Sequence, residues 1–477
     1  MALSATLVWE ARTTGSAANG AAFRAGATGT DYSQQDSAQV SYTDLTVDAS
    51  TSTRVTSAAN PFTAAHVGNV INISSTSPWT AGYYEVVSVA GSVATLDRSP
   101  AAVGTAGGVG KLGGATNSPE TIAGAVVSSN VVWIKSGTYN VVAAYFTATT
   151  VNPSPTSPRG RISGYAATRG DSGRATLKCV GAYVWQGSYC IRTGNGWDVE
   201  QIDADGAGNA WSPFYIGQRC SVTRCKALNG RSNGINVSSV STIQACEVTG
   251  MTGGLGAISG GQYGVILENY VHDNACPGIV TSNTNVIRGN IVANNTGASS
   301  DGIQVSNFCQ VIGNTVYGNG GHGLNETAAE NFPNAVQGNI FANNGGYGAV
   351  FASVAGNRAT SLNDGNAYYN NTGGTRLNGN DTTVNPQFVG GAYANPRDKI
   401  LTATPFMNAA SGDFRLNDNA GGGAACRGVG LPATWPGSSV AGYPDLGAAQ
   451  HQDTASAGTG GGRVIGSPVI LPARRMV

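Results

Sequence analysis

The sequence predicts an all-β solenoid, and three observations predict it. Glycine is far above its usual share, 69 of 477 residues, while charged residues make up only 11%; average chains hold roughly 7% and about 25%. Hydrophobic residues still reach 41%, enough to fill a long core, so a disordered polar tract is excluded. A motif then recurs every 21 to 27 residues, and a chain that grows by adding equivalent coils escapes the usual size limit of one core.

The repeat decides the architecture. VILENYVHDN, VIRGNIVANN, VIGNTVYGN, AVQGNIFANN and LNDGNAYYNN carry equivalent asparagines, Asn269, Asn290, Asn314, Asn339 and Asn366, at spacings of 21, 24, 25 and 27. A second row, out of phase, runs through Gly234, Gly256, Gly278, Gly302, Gly323 and Gly348. The Leu-x-x-Leu-x-Leu framework of leucine-rich repeats, whose period is similar, is missing. Apolar runs of 3 to 5 β-branched residues separated by Gly and Asn read as short strands joined by turns. Stacked coils then align these strands in parallel, about 4.8 Å apart, which is a parallel β-helix. Of 41 asparagines, 26 lie between 229 and 380. An inward Asn ladder fits this concentration, with each Asn in the left-handed conformation at a bend and its amide bonded along the axis.

Around the coils the sequence predicts four segments. Residues 1–118 alternate apolar and polar residues between Gly and Ser, as a small β-sandwich or barrel-like domain that anchors or assembles the protein. The solenoid fills 119–450, opened by an amphipathic capping helix at 120–128 that covers the apolar first coil. Four residues between 152 and 175, Pro153, Pro155, Pro158 and Gly160, mark a long loop, and NPQFVGG, SGDFRL and PDLGAAQ close the coils. Residues 451–463 form a Gly-rich linker and 464–477 an apolar tail with a basic end.

Zero net charge disfavours nucleic acid as a partner, and no apolar run of 18 residues is present for membrane insertion. The opening MALSATLVWEARTTG, with Glu10 and Arg12 breaking its apolar run, does not read as a secretion signal. Eight cysteines without metal spacing are expected as buried free thiols of a protein made in a reducing cytoplasm. No metal or cofactor is expected.

From NVVWIKSGTY through the Gly-Asn coils to NPQFV, GDFRL and PDLGAAQ, the chain resembles the pectate-lyase-like right-handed parallel β-helix superfamily over residues 119–450. LVWEARTTGS and AGYYEVVSV with TLDRS are similar to β-helix proteins on the virions of tailed bacteriophages. That resemblance implies a homotrimeric tail spike, fibre or capsid appendage, in contact with other virion proteins and directed at host surface polysaccharide.

The fold hosts enzymes and inert fibres alike, so activity must be read from a site. Asp301 and His322 each precede a row glycine and are expected one coil apart, with Glu326 beyond; two carboxylates and an imidazole are acid–base chemistry. SDGIQVSN and GHGLNET resemble the TDG and GHG segments of polygalacturonase-type glycoside hydrolases. That family places a coil with Asp-Asp between them and an Arg-Ile-Lys later; neither occurs here. A polar turn stack is the bland alternative; Asp203 and Asp205 read as alternate residues on an exposed strand before a Gly turn, and His272 with Asp273 as the cap of a turn. Lys226 and Arg231 lack an acidic cluster beside them. Tyr263, Tyr317 and Tyr347, with Tyr270, Tyr368 and Tyr369, are candidates for a sugar-stacking strip. Three functions stay open: a virion β-helix that is structural or binds glycan, a virion depolymerase acting as hydrolase or lyase, and a secreted adhesin or lyase.

Overall fold

The computed structural model describes residues 3–127, 129–142, 146–148, 158–181, 188–297, 300–327, 334–351, 362–378, 397–430 and 445–450. They fall into two compact units, Met1–Arg231 with Ile235–Val237, and Ser232–Gly234 with Ser238–Val477. The linker and tail expected at 451–477, the motif NPQFV and most of the Pro-rich loop lie outside the described residues.

In the N-terminal unit, Leu7–Ala11 pairs in parallel with Val131–Lys135, and Gly160–Tyr165, Trp197–Glu200 and Ser221–Thr223 follow in order. The chain therefore opens as a rung of the solenoid, and Ala22–Arg24 closes that edge antiparallel. Six strands, from Val40–Val47 to Gly108–Leu112, form a closed barrel around Tyr42, Leu45, Phe62, Ile71, Trp79 and Leu112. The barrel is thus an insertion between the first rung and the coils, and the boundary expected at 118 is crossed by pairing.

The reason lies in Glu10, fully buried in a strand whose apolar pattern it interrupts. Its carboxylate holds Arg12 Nε at 2.9 Å and Arg169 at 2.7 Å and accepts the Tyr165 hydroxyl. A buried charge survives only with such partners, and these come from positions 12 and over 150 residues away. The capping helix is shorter than expected, Pro119–Ile122 only. Gly124, Val126 and Val127 disfavour its continuation, although Ile122 and Val126 are fully buried.

In the C-terminal unit each coil adds one strand to each of three parallel sheets. The first contains Val265–Leu267, Val286–Arg288 and Gln310–Ile312; the second Tyr270–His272, Ile291–Ala293 and Thr315–Tyr317; the third Ile279–Thr281, Ile303–Val305 and Leu324–Glu326. In the first two sheets the middle residue faces inward, so Ile266, Ile287, Val271, Val292 and Val316 line the core. In the third sheet the outer two do, as with Ile303 and Val305.

Asn269, Asn290, Asn314, Asn339 and Asn366 stack, fully buried, at the bend between the first and second sheets. Each Nδ2 donates to the next Oδ1 at 2.9 to 3.0 Å, and each backbone N–H donates to the same oxygen at 2.8 to 2.9 Å. The second amide hydrogen goes to a strand carbonyl, as from Asn290 to Ile266 at 3.0 Å. The left-handed residue is the one before: Glu268, Gly289, Gly313, Gly338 and Gly365 have φ of 55 to 66°. Asn is thus selected for its amide and not, as expected, for tolerating that conformation.

A second ladder, unforeseen, runs through Asn274, Asn295, Asn319, Asn344 and Asn371 at 2.8 to 3.0 Å. Its sequence signal is an Asn five residues after each first-ladder Asn. The glycine row is a packing requirement: a Cβ on Gly302 would lie 2.2 Å from Val316 Cγ1.

Two further expectations change. Cys179 and Cys190, with Cα atoms 5.8 Å apart, are joined as a disulfide, because adjoining sheets turn both inward; the other six thiols are free and buried. Burial pushes Cys276 and Cys426 up to about 12, so they stay protonated. SGDFRL and the residues after Pro444 do not close coils. Phe406–Asn408 and Asp413–Leu416 form an antiparallel hairpin, and Phe406, Phe414, Leu416 and Leu446 pack over outward residues Tyr270, Ile291, Tyr317 and Tyr369 of the second sheet.

Replacing Asn314 with Leu removes the oxygen that accepts both donors of Asn290. Denaturant unfolding should show a loss of about 1–3 kcal/mol per donor left unsatisfied; unchanged stability would contradict the ladder's role.

Candidate functional site

Asp301 and His322 are brought together by stacking. Asp301 ends the approach to Ile303–Val305 and His322 the approach to Leu324–Glu326, and these strands are paired neighbours. Asp301 Oδ1 accepts the backbone N–H of His322 at 2.6 Å, and Oδ2 accepts Gln304 Nε2 and Asn325 Nδ2, each at 2.8 Å. The carboxylate, itself buried, is the hub of two adjacent coils. His322, half-buried, uses Nδ1 to accept the backbone N–H of Tyr347 at 2.9 Å from the next coil. Its neutral ring therefore carries the hydrogen on Nε2. Gly346 makes the approach feasible, because a Cβ there would lie 2.3 Å from His322 Nδ1.

Glu326 does not join them. It pairs in register with Val305 and, like it, faces the core, whereas Asn325 faces out toward Asp301. The Asp301 carboxylate is bonded to the outward side chains of Gln304 and Asn325 while Glu326 lies on the core side of its strand, so the two cannot flank one glycosidic bond as paired carboxylates must.

The tyrosines separate too. Tyr347 stands beside His322, ring centroids 5.9 Å apart. Tyr317 packs on Phe406 and Phe414 at 5.8 and 5.5 Å, beneath the hairpin, and Tyr263 is exposed at a corner. Tyr270 lies beneath the hairpin with Tyr369, and Tyr368 is in the core. They form no single strip.

Asp203 pairs with Arg174, and Asp205 accepts Ala207 N–H at 2.8 Å and Asn229 Nδ2 at 3.0 Å; both serve turns and coil contacts. His272 is engaged from both sides: Nδ1 lies 2.8 Å from Asp273 and Nε2 3.5 Å from Glu247. Tyr270 stacks on its ring at 3.9 Å. Among the described residues no group of three or more His, Cys, Asp and Glu side chains is arranged to hold a metal ion.

Residues 193–331 match the family of the right handed beta helix region. Pectate lyase Pel9A shares the fold, with a TM-score of 0.52 and 15% identity over 71% of this chain and 92% of that one. The chain carries a right-handed parallel β-helix, the fold it shares with that lyase. Two further solved structures are similar to this β-helix. One, Geobacillus virus E2 ORF18, is 13% identical over 54% of this chain and 56% of that one, at a TM-score of 0.37. The other, the Azotobacter vinelandii mannuronan C-5 epimerase AlgE6 A-module, is 14% identical over 52% and 87%, at a TM-score of 0.33. No curated protein matches the chain in sequence.

Two sequence signals could have refined the site of this β-helix. Leu324 two residues before Glu326 already places that carboxylate on the core side. Gln304 and Asn325 fall between inward residues of their strands and so face out beside Asp301.

The environment of His272 has a pH consequence. Burial opposes its charge, but contacts with Glu247 and Asp273 outweigh it and raise its pKa above the ordinary 6.5. A raised folded-state pKa means stability present at low pH and lost as pH rises through that pKa. Thermal unfolding between about pH 5 and about pH 9 should show this loss in the native chain and a flatter profile in His272→Gln; identical profiles would contradict it.

Proposed function

We propose that the protein is a bacteriophage virion β-helix, a tail spike, fibre or head appendage, that presents its coils to the host surface and binds glycan there. The observation that carries this reading is the outward cluster of Gln304, His322 and Asn325 around Asp301, with the Tyr347 ring at its edge. Planar amides and an imidazole beside an aromatic ring suit hydroxyl-rich sugars, whose faces stack and whose hydroxyls pair with donors and acceptors. The closed barrel supports the particle assignment, as a separate module suited to anchoring. The resemblance of LVWEARTTGS and AGYYEVVSV to phage virion proteins points the same way. The protein is made in the host cytoplasm, resides in the virion, and assembles as a homotrimer, the kind of closed symmetry common among homo-oligomers.

A second reading, polysaccharide depolymerase, is favoured by the contact of Asp301 with His322. In that reading His322 Nε2 is the group that exchanges a proton with substrate.

Host surface polysaccharide distinguishes them. The full chain should retain it, the His322→Ala and Asn325→Ala variants should bind about tenfold more weakly, and no new reducing ends or unsaturated products should form. Products that vanish in Asp301→Asn would establish the depolymerase. Light scattering should give a trimer mass; a monomer at micromolar concentration would remove the assembly from the reading.

A further inference from the structure

A closed barrel still carries a free edge where one strand outruns its neighbour, and the barrel of the N-terminal unit has such a strand in Gly82–Ala90. On one side it pairs with Val70–Ile73 only as far as Glu85. Val86 N–H then donates to the Asn69 carbonyl at 2.9 Å, and Gly68 N–H donates to the Val86 carbonyl at 2.8 Å. Past Val86 that edge meets no further backbone partner among the described residues. On its other side the strand pairs with Val93–Leu96, Val89 lying opposite Ala94. Leu96 sends its N–H to the Thr53 carbonyl at 2.8 Å, away from Gly82–Ala90, so Ala94, two residues earlier, faces the same way. Val89 therefore directs its own N–H and C=O to the free edge.

A cleft of about 580 Å³ lies against this edge, within the size range of ligand sites. Val87, Ser88 and Val89 line it from the barrel strand, and Ala25, Gly26 and Ala27 from the segment that follows Ala22–Arg24. Gly26 has φ of 77° and open space where a Cβ would stand, so a second backbone can come close to it. Arg24 also lines the cleft. Its Nε lies 2.9 Å from Glu85 Oε1, and Glu85 Oε2 accepts Ser4 N–H at 3.3 Å. That pairing uses one edge of the guanidinium. The two terminal nitrogens have no hydrogen bond or ion pair among the described residues, and they form the planar fork that suits a carboxylate.

We propose that this cleft docks an extended, acidic segment of a partner protein, which lies as a short added strand beside Val87–Val89 and sets a carboxylate on the outer fork of Arg24. Bonds to Val89 N–H and C=O hold the incoming backbone whatever its sequence, and apolar side chains of the segment meet Val67 and Val87, as in other strand additions. The carboxylate supplies the selectivity. The inference rests on the reading of the barrel as an anchoring module, and it gives the partner of that module a chemistry. A small free acid would use Arg24 alone and leave the strand edge empty.

The test selects binders to the full chain from a random mRNA-displayed library of peptides about nine residues long, enough for one strand. Enriched peptides should carry an Asp or Glu among β-branched residues. By fluorescence anisotropy such a peptide should bind about tenfold more weakly to Arg24→Lys, which keeps a cation beside Glu85 and loses the fork. Replacing the acidic residue of the peptide by its amide should weaken binding to the native chain by a similar factor. Ser88→Trp fills the cleft without touching the ion pair and should abolish binding while the unfolding temperature stays unchanged. Methylating the peptide amides one at a time should weaken binding at the position that meets Val89 and not at its neighbours. Four outcomes overturn the proposal: no acidic residue among the enriched peptides, equal binding to both variants, indifference to methylation at every amide, or retention of hexanoate with no peptide, which would make the cleft a small-acid pocket. Binding to the isolated chain tests the cleft alone, whereas the anchoring reading fails separately if purified particles lack the chain by mass spectrometry.

Discussion

The asparagines at the bends of the solenoid core are buried, so each of their polar groups must find its partner within the neighbouring coils. Burying an amide without partners costs several hydrogen bonds' worth of desolvation. The asparagine ladders meet this demand completely: Asn290 Nδ2 donates to Asn314 and to the Ile266 carbonyl, and its Oδ1 accepts the N–H and the amide of Asn269. At the last coil of the first ladder Asp398 substitutes, its Oδ1 accepting Asn366 N–H at 2.9 Å. With the bends locked at a constant register, the strands between them have no freedom to slip, and a one-residue slip would turn every side chain to the opposite face.

Functional geometry in the C-terminal unit follows from that register. Fixed parity sends Gln304 and Asn325 outward to meet Asp301 and sends Glu326 inward beside Val305. It also leaves an apolar outward face on the second sheet, and the hairpin of residues 406–416 covers it through Phe406, Phe414 and Leu416. The third sheet instead keeps amides and an imidazole outward, so the three faces of one coil have different chemistry although they share one core.

The N-terminal unit is held by a different interaction. Glu10 binds Arg12, Tyr165 and Arg169, while Arg169 also reaches Asp31 at 3.5 Å and Tyr139 donates to the carbonyls of Ala11 and Lys135. These contacts join the opening rung, the segment leading to the barrel and a later coil. Such a buried network specifies one arrangement because any other leaves charge unpaired.

Periodicity was sufficient for the coils. The period of 21 to 27, the inward Asn row and the adjacency of Asp301 and His322 were all legible, because stacking converts equal position in a repeat into contact in space. The second ladder and the inward course of Glu326 were legible in principle, since both follow from fixed offsets within a coil. The place of Leu7–Ala11 as a rung, the Cys179–Cys190 disulfide and the covering of Tyr317 were decided by tertiary structure alone. Each depends on residues brought together from outside the repeat, and such contacts leave no period in the sequence.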